Sequence, residues 1–236
     1  MKILRESGKY LKRKAIQNLS LAILCLMLFA GIFLSSVPPF PFYINLGSYN
    51  GVRTLATLFP LIGTLLFQRK YRRYKHGLEG ENHVTKTLSS TLNDEYYLIN
   101  DVWLPDGKKG NIDHIVLGPT GIFAVETKNQ TGKIECNGDV WNGVIGRNPS
   151  KQARDNAFRV HDAIASSEIF KSRKLWVQGV VVFANKDVDL DVQNPHKVDI
   201  LKSDGLVNYI LAKESNLSSQ EIELVGKEIL KQMQTF

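Results

Sequence analysis

The chain has 236 residues, 43% of them hydrophobic, and a formal net charge of +7, which leaves room for one domain with its own core beside a shorter segment. The charge is unevenly placed: residues 1–75 carry 12 basic side chains and one acidic, whereas residues 76–236 carry 18 basic and 22 acidic, a balance of −4. Bulk charge therefore gives the larger part no polyanion-binding character, and two cysteines, Cys25 and Cys136, leave no disulfide framework or thiolate metal site and fit a reducing compartment.

In chain order, residues 19–37 come first as a run of 19 without a charge, about the length that crosses a hydrocarbon core of roughly 30 Å. The run predicts a transmembrane helix. A secretory signal is the competing reading, against which stand the length of the run and the lack of a small-x-small cleavage site after it. Three prolines and two glycines then break the helix, and a second apolar run, residues 54–67, has 14 residues including Pro60. Arg53 at its start must reach the interface. Six basic residues precede the first run, and Arg69, Lys70, Arg72, Arg73 and Lys75 follow the second. By the positive-inside rule both flanks are cytoplasmic. The expectation is a helical hairpin in the lipid bilayer, a prokaryotic plasma membrane, with the remaining domain in the cytoplasm. "QRKYRRYK" reads as a lipid-headgroup cluster rather than a nucleic-acid contact.

Residues 78–92 have helical periodicity, with Glu81, Val84, Leu88 and Leu92 on one stripe. A carboxylate in line with a buried face is either an edge residue or a group with a partner inside. Strand-type runs follow at 96–104, 111–117 and 122–128, with a weaker pair around "GKIEC" and "DVWN". "PDGKKG" and "GPTG" are turn chemistry. A helix is expected from Pro149 to about residue 168, with Gln152, Asn156, Val160 and Ala163 on one side. Residues 175–184 suit a strand buried on both faces, and "VDIL" adds another. Two helices close the chain, the last with a Ser218–Glu221 capping box. The predicted fold class is α/β, a mixed sheet flanked by helices over residues 76–236, preceded by a helical-hairpin anchor over residues 1–75.

"NIDHIVLGPTGIFAVETKNQ" holds three charges inside apolar, β-branched runs. If "GPTG" closes its hairpin without a bulge, Asp113 lies opposite Glu126, with Lys128 two residues on along the same face. A bulge at Gly121 would shift the register by one. Two carboxylates that close repel unless one is protonated or a cation lies between them. Mg²⁺ or Mn²⁺ suits such oxygen donors, with Glu81 as a third ligand and the Lys128 ammonium to orient water or steady a phosphoryl group. A structural ion pair that holds the sheet in register is the competing reading.

Asp113 and the Glu126-Thr127-Lys128 triplet resemble the D…(D/E)xK core of the PD-(D/E)xK nuclease superfamily. More specifically, "GLEGE" (77–81), "NIDHIVLGPTGIFAVETKNQTGKI" (111–134), Trp141 and "NPSKQ" (148–152) resemble the nuclease-related domain, NERD, over roughly residues 76–185. The resemblance implies a restriction-endonuclease-like core and metal-dependent cleavage of nucleic acid, DNA foremost. It implies Glu81 as the helix carboxylate, Asp113 and Glu126 as metal ligands, Lys128 as the catalytic lysine and Gln152 as the polar helix residue facing the site. The literal Pro105-Asp106 falls in a Gly/Lys turn, and Ile112 stands before Asp113 where the pattern has proline.

The remaining candidates have plain readings. His114 alternates to the face opposite Asp113 and reads as a packed or surface imidazole, and His83, His161 and His196 have no metal-type spacing. Trp103 and Trp141 read as core or sheet-edge aromatics. Lys108, Lys109, Arg147, Lys151 and Arg154 suit either phosphate contacts or solvated faces. Two functions follow as expectations: a membrane-tethered, metal-dependent nuclease, or a non-catalytic membrane-bound nucleic-acid-binding or scaffold module of the same fold.

Overall fold

The structure is a computed structural model that describes all residues except 38–42, 45, 106–109, 145, 166–174, 196 and 234–236. Asp106, Lys108, Lys109 and His196 therefore lie outside the described residues. The chain divides into two compact units, Tyr10–Leu78, and Met1–Lys9 together with Glu79–Phe236.

The first unit is built on α1 (Lys9–Leu34) and the early part of α3 (Leu58–Thr91), with a short α2 (Asn50–Ala56) between them. Both long helices are apolar enough over a sufficient length to cross a membrane, the second within Gly47–Thr91. Pro60 falls in the first turn of α3, where its missing N–H costs nothing. The helices approach closely where side chains are small: a Cβ on Gly63 would stand 3.0 Å from Cys25 Sγ, and one on Gly77 would stand 3.2 Å from Leu11 Cδ1. Ala15, Asn18 and Ala22 are the buried stripe of α1. The second apolar run and the helix predicted over 78–92 are one continuous helix, because the Gln, Arg and Lys between them are good helix formers and nothing there breaks it.

The second unit is an α/β layer structure. Its six-stranded sheet has the order β1-β2-β3-β4-β7-β9, from β1 (Lys2–Arg5), β2 (Tyr97–Val102), β3 (Ile112–Gly118), β4 (Gly121–Lys128), β7 (Val177–Phe183) and β9 (Asp199–Lys202). The sheet is mixed: β2, β3 and β4 are antiparallel, whereas β1 joins β2, and β7 and β9 join β4, in parallel. Strands β5 (Gly132–Asn137), β6 (Val140–Asn142) and β8 (Val188–Gln193) form a second, three-stranded sheet in the order β6-β5-β8.

Helices cover both faces of the large sheet. On one face Ile99, Ile115, Leu117, Ile122 and Ala124 pack against Val160 and Ile164 of α4 (Pro149–Ala165) and Ile222, Val225 and Ile229 of α6 (Ser219–Gln232). On the other, Leu98, Val116, Phe123, Val125 and Val180 pack against Val84 and Leu88 of α3 and Leu206 and Ile210 of α5 (Leu206–Leu211). Strand β7 is buried along nearly its whole length, which is why its sequence shows no alternation. The Ser218–Glu221 capping box at the start of α6 is present.

Two features had no sequence signal. Lys2–Arg5 is too short to show a period, yet it pairs with β2, and the Met1 amine donates to Leu92 O and Asp94 Oδ1 at 3.0 and 2.9 Å. The N-terminal residues thus belong to the same compact unit as the domain. The hairpin of β3 and β4 is unbulged, running from His114 opposite Val125 to Gly118 opposite Gly121. Gly121, at φ 134°, takes a conformation closed to residues with a Cβ, and a Cβ on Gly118 would fall 2.1 Å from the Tyr96 ring.

Candidate functional site

Along one face of β3 and β4, Leu117 and Ile115 lead to Asp113, and Ile122 and Ala124 lead to Glu126 and Lys128. Side chains two residues apart share a face, so the apolar layer under α4 ends in charge at one end of the strands. The unbulged register, continued one residue past its last pair of His114 and Val125, sets Asp113 and Glu126 at the same level of adjacent strands. Asp113 Oδ2 accepts the Thr127 backbone N–H at 2.8 Å. Lys128 Nζ donates to Glu126 Oε1 at 2.8 Å and to Gln152 Oε1 at 2.9 Å.

Helix α4 supplies the roof of the site. Trp141 Nε1 donates to Ser150 Oγ at 2.9 Å, and the Trp141 ring lies against Phe183, which fixes the first turn of α4 and with it Gln152. One turn further, Asn156 Nδ2 donates to Glu126 Oε2 at 3.0 Å. Arg159 is buried and donates to Gly110 O at 3.2 Å. These groups line a polar cavity of about 430 Å³ with Asp113, Glu126 and Arg147.

Glu81 reaches the cluster from α3. It is 6% exposed, and its Oε2 is buried without a hydrogen-bond partner. Burial first, then the charges of Asp113, Asp101 and Glu126, hold its pKa well above the usual carboxylate range. Asp113 is likewise held high by burial and then by Glu126, although the Thr127 N–H and the Lys128 ammonium pull the other way. Carboxylates that raise one another's proton affinity in a dry place gain from a cation among them.

The structure brings together Glu81, Asp113, Glu126, Lys128 and Gln152, and adds Arg147. Lys151 and Arg154 are in ion pairs of 2.7 Å with Asp155, which lines the same cavity, and Asp139. His114 is fully buried on the opposite face, and His83 meets Ser203 Oγ at 3.1 Å. Sequence reasoning missed Asp101, Asn111 and Arg159 as neighbours of the site. It placed Asn156 on the Gln152 side of α4 without a role; the four-residue spacing from Gln152 was the available signal.

Among the described residues, no three His, Cys, Asp or Glu side chains are spaced as a ready-made metal site. The donor chemistry nevertheless suits a hard divalent ion: carboxylate oxygens converge, and Glu81 Oε2 is an uncommitted buried acceptor.

A mixed sheet with a buried carboxylate group, a lysine and an amide helix at one end is the arrangement that the fold presents. Residues 76–184 match the family model of the nuclease-related domain, NERD, so the chain carries a nuclease-related domain there. An uncharacterized protein of Bacillus anthracis is 37% identical over 82 residues, which are 34% of this chain and 37% of that protein. The chain thus matches little more than a third of that relative's length. No solved structure matches significantly.

Proposed function

We propose that the protein is a membrane-tethered, Mg²⁺- or Mn²⁺-dependent nuclease that hydrolyses nucleic-acid phosphodiesters, with DNA as the foremost substrate. The observation that carries this reading is the run of contacts from Gln152 through Lys128 to Glu126, beside Asp113 and an unpartnered Glu81. The nuclease-related match over residues 76–184 supports it, as does a restriction-endonuclease-like reading of the mixed sheet.

Asp113, Glu126 and Glu81 would hold the cation. When bound, a divalent ion supplies Lewis-acid charge toward a phosphoryl oxygen and makes nearby water more acidic. Lys128 is placed to donate to a phosphoryl oxygen or to the attacking water, because its ammonium already points along the carboxylate face. Gln152 holds that ammonium in line, and Asn156 holds Glu126 from the opposite oxygen. Arg147 lines the same cavity and gives the incoming phosphate a second cation. Prearranged donors of this kind act on charge as it develops.

The pairing of β1 with β2 supports an even number of membrane crossings. The chain leaves the domain after Lys9 and re-enters it at Glu79, as an even number of crossings requires, and the basic flanks favour the cytoplasm for the domain.

The balance of −4 over residues 76–236 favours a second reading, a binding or scaffold module without turnover, since polyanion binding draws on basic surface. The full chain in detergent, incubated with supercoiled plasmid, single-stranded DNA and RNA in Mg²⁺, Mn²⁺ or EDTA, separates the two. Metal-dependent cleavage lost in a Lys128→Ala variant of equal melting temperature is the expected result. Silence on every substrate in both metals would overturn the nuclease reading and leave the scaffold.

A further inference from the structure

We propose that Asp101 is a fourth carboxylate of the cation site, acting with Glu81 on the β2 side of Asp113. This rests on the cation-dependent reading above and extends it to a residue outside the D…(D/E)xK pattern.

The register carries the first part. Asn100 lies opposite His114 and Val102 opposite Ile112, which sets Asp101 at the level of Asp113, just as the β3–β4 hairpin sets Asp113 at the level of Glu126. Three neighbouring strands therefore each present an acid at one level. Like charges brought to one level on adjacent strands repel.

The second part is the backbone. Asp101 is 1% exposed and has φ +58° at the next-to-last residue of β2. That left-handed conformation is unfavourable for a residue with a side chain, least so for Asn and Asp, and such outliers gather where a site needs a particular placement. Asn111 Nδ2 donates to Asp101 Oδ1 at 2.7 Å, which orients the carboxylate.

The independent observation is Glu81 Oε2, a buried acceptor without a partner, while Asn111, which holds Asp101, lines the cavity with Asp113 and Glu126. An orphaned buried carboxylate oxygen is costly. Asp113 and Glu126 are already engaged by Thr127 N–H, Lys128 and Asn156, so Glu81 is the side chain with an oxygen to spare. A divalent cation taken by Glu81 and Asp101 beside Asp113 satisfies that oxygen and screens the row of acids.

The test is Mn²⁺ binding to the full chain in detergent, followed by electron paramagnetic resonance, with melting temperature measured in EDTA. Asp101→Asn is expected to weaken Mn²⁺ binding at least ten-fold while the metal-free protein melts no lower than the wild type. Asp101→Gly accepts φ +58° without strain and serves where the Asn variant does not fold; it is expected to show the same loss of affinity. Wild-type affinity, within two-fold, in the folded Asn or Gly variant would overturn the proposal while leaving the nuclease reading intact. A wild type that binds no Mn²⁺ would overturn both.

Discussion

Strands β3 and β4 bury polar groups on both faces, and the two sets are built on opposite principles. Toward α3, Asn100 Nδ2 donates to Arg5 O at 2.8 Å, which turns Asn100 Oδ1 to His114 Nδ1 at 2.7 Å, and His114 Nε2 meets Thr127 Oγ1 at 3.0 Å. The Arg5 carbonyl thereby fixes the tautomer: Nδ1 carries the proton and Nε2 accepts from Thr127. Every member is neutral and paired, and the row ties β1, β2, β3 and β4 together. Toward α4, at the end of the strands that Glu81 reaches from α3, the groups are ionisable and crowd one another, and Glu81 Oε2 is unpaired. A satisfied neutral row stabilises the sheet. An unsatisfied charged one opposes folding.

The sharpest test of that contrast exchanges function for stability on the charged face. Lys128→Ala is expected to lower cleavage on the order of 10³-fold, the scale of losing a positioned donor to developing charge, in the plasmid assay. Glu81→Gln is expected to abolish Mn²⁺-stimulated cleavage while raising the melting temperature in EDTA, since it removes a carboxyl group whose ionisation burial and the neighbouring acids oppose. A lower melting temperature for Glu81→Gln would make both faces structural and erase the distinction.

The neutral face should behave in the reverse way. His114 is 0% exposed and bonded at both ring nitrogens, so His114→Ala leaves a cavity and two unpaired partners and should cost about 2–4 kcal/mol. Denaturant unfolding checks the value, and the cleavage rate per folded molecule should remain near that of the wild type.

The pH dependence separates the faces by sign. Burial lowers the His114 pKa from 6.5 to about 3, so the unfolded chain takes up a proton that the native state refuses. Its contribution is complete above pH 6.5 and declines by about 1.4 kcal/mol per unit as pH falls from there toward 3. Glu81 and Asp113 are raised, so the native state holds protons that the unfolded state releases, and stability falls as pH rises through their range. The two trends oppose each other in the metal-free wild type. Glu81→Gln should therefore steepen the loss of stability on acidification below pH 6.5, measured by unfolding at fixed ionic strength. A flatter curve would contradict the assignment.

Much of the charged face is readable in the amino-acid sequence, because the period of two, the "GPTG" turn and a carboxylate on a helical stripe are all local signals. Asp113, Glu126 and Lys128 share a face by alternation alone, and Gln152 and Asn156 share one by helical spacing. The neutral row is not readable in that way: His114 looks like any buried or surface imidazole until Asn100, 14 residues away, and Arg5, 95 residues from Asn100, are placed beside it. Asp101 is hidden for the same reason, since its level against Asp113 depends on the β2–β3 register and its left-handed backbone has no sequence mark. The N-terminal strand has four residues and no period to detect, so only its pairing with β2 reveals that it belongs to the domain.

Gln152 gives the smallest and most discriminating effect. Its side chain accepts from Lys128, and Lys128 also donates to Glu126. Gln152→Ala therefore removes one neutral amide contact to an ammonium, about 1–2 kcal/mol. It should lower kcat roughly ten-fold with KM nearly unchanged, because the contact orients a reacting group and leaves substrate contacts in place. Mn²⁺ affinity should stay at the wild-type value, which distinguishes this residue from Glu81. A rise in KM with unchanged kcat would move Gln152 from orienting Lys128 to holding substrate, and would make the roof of the site a binding surface.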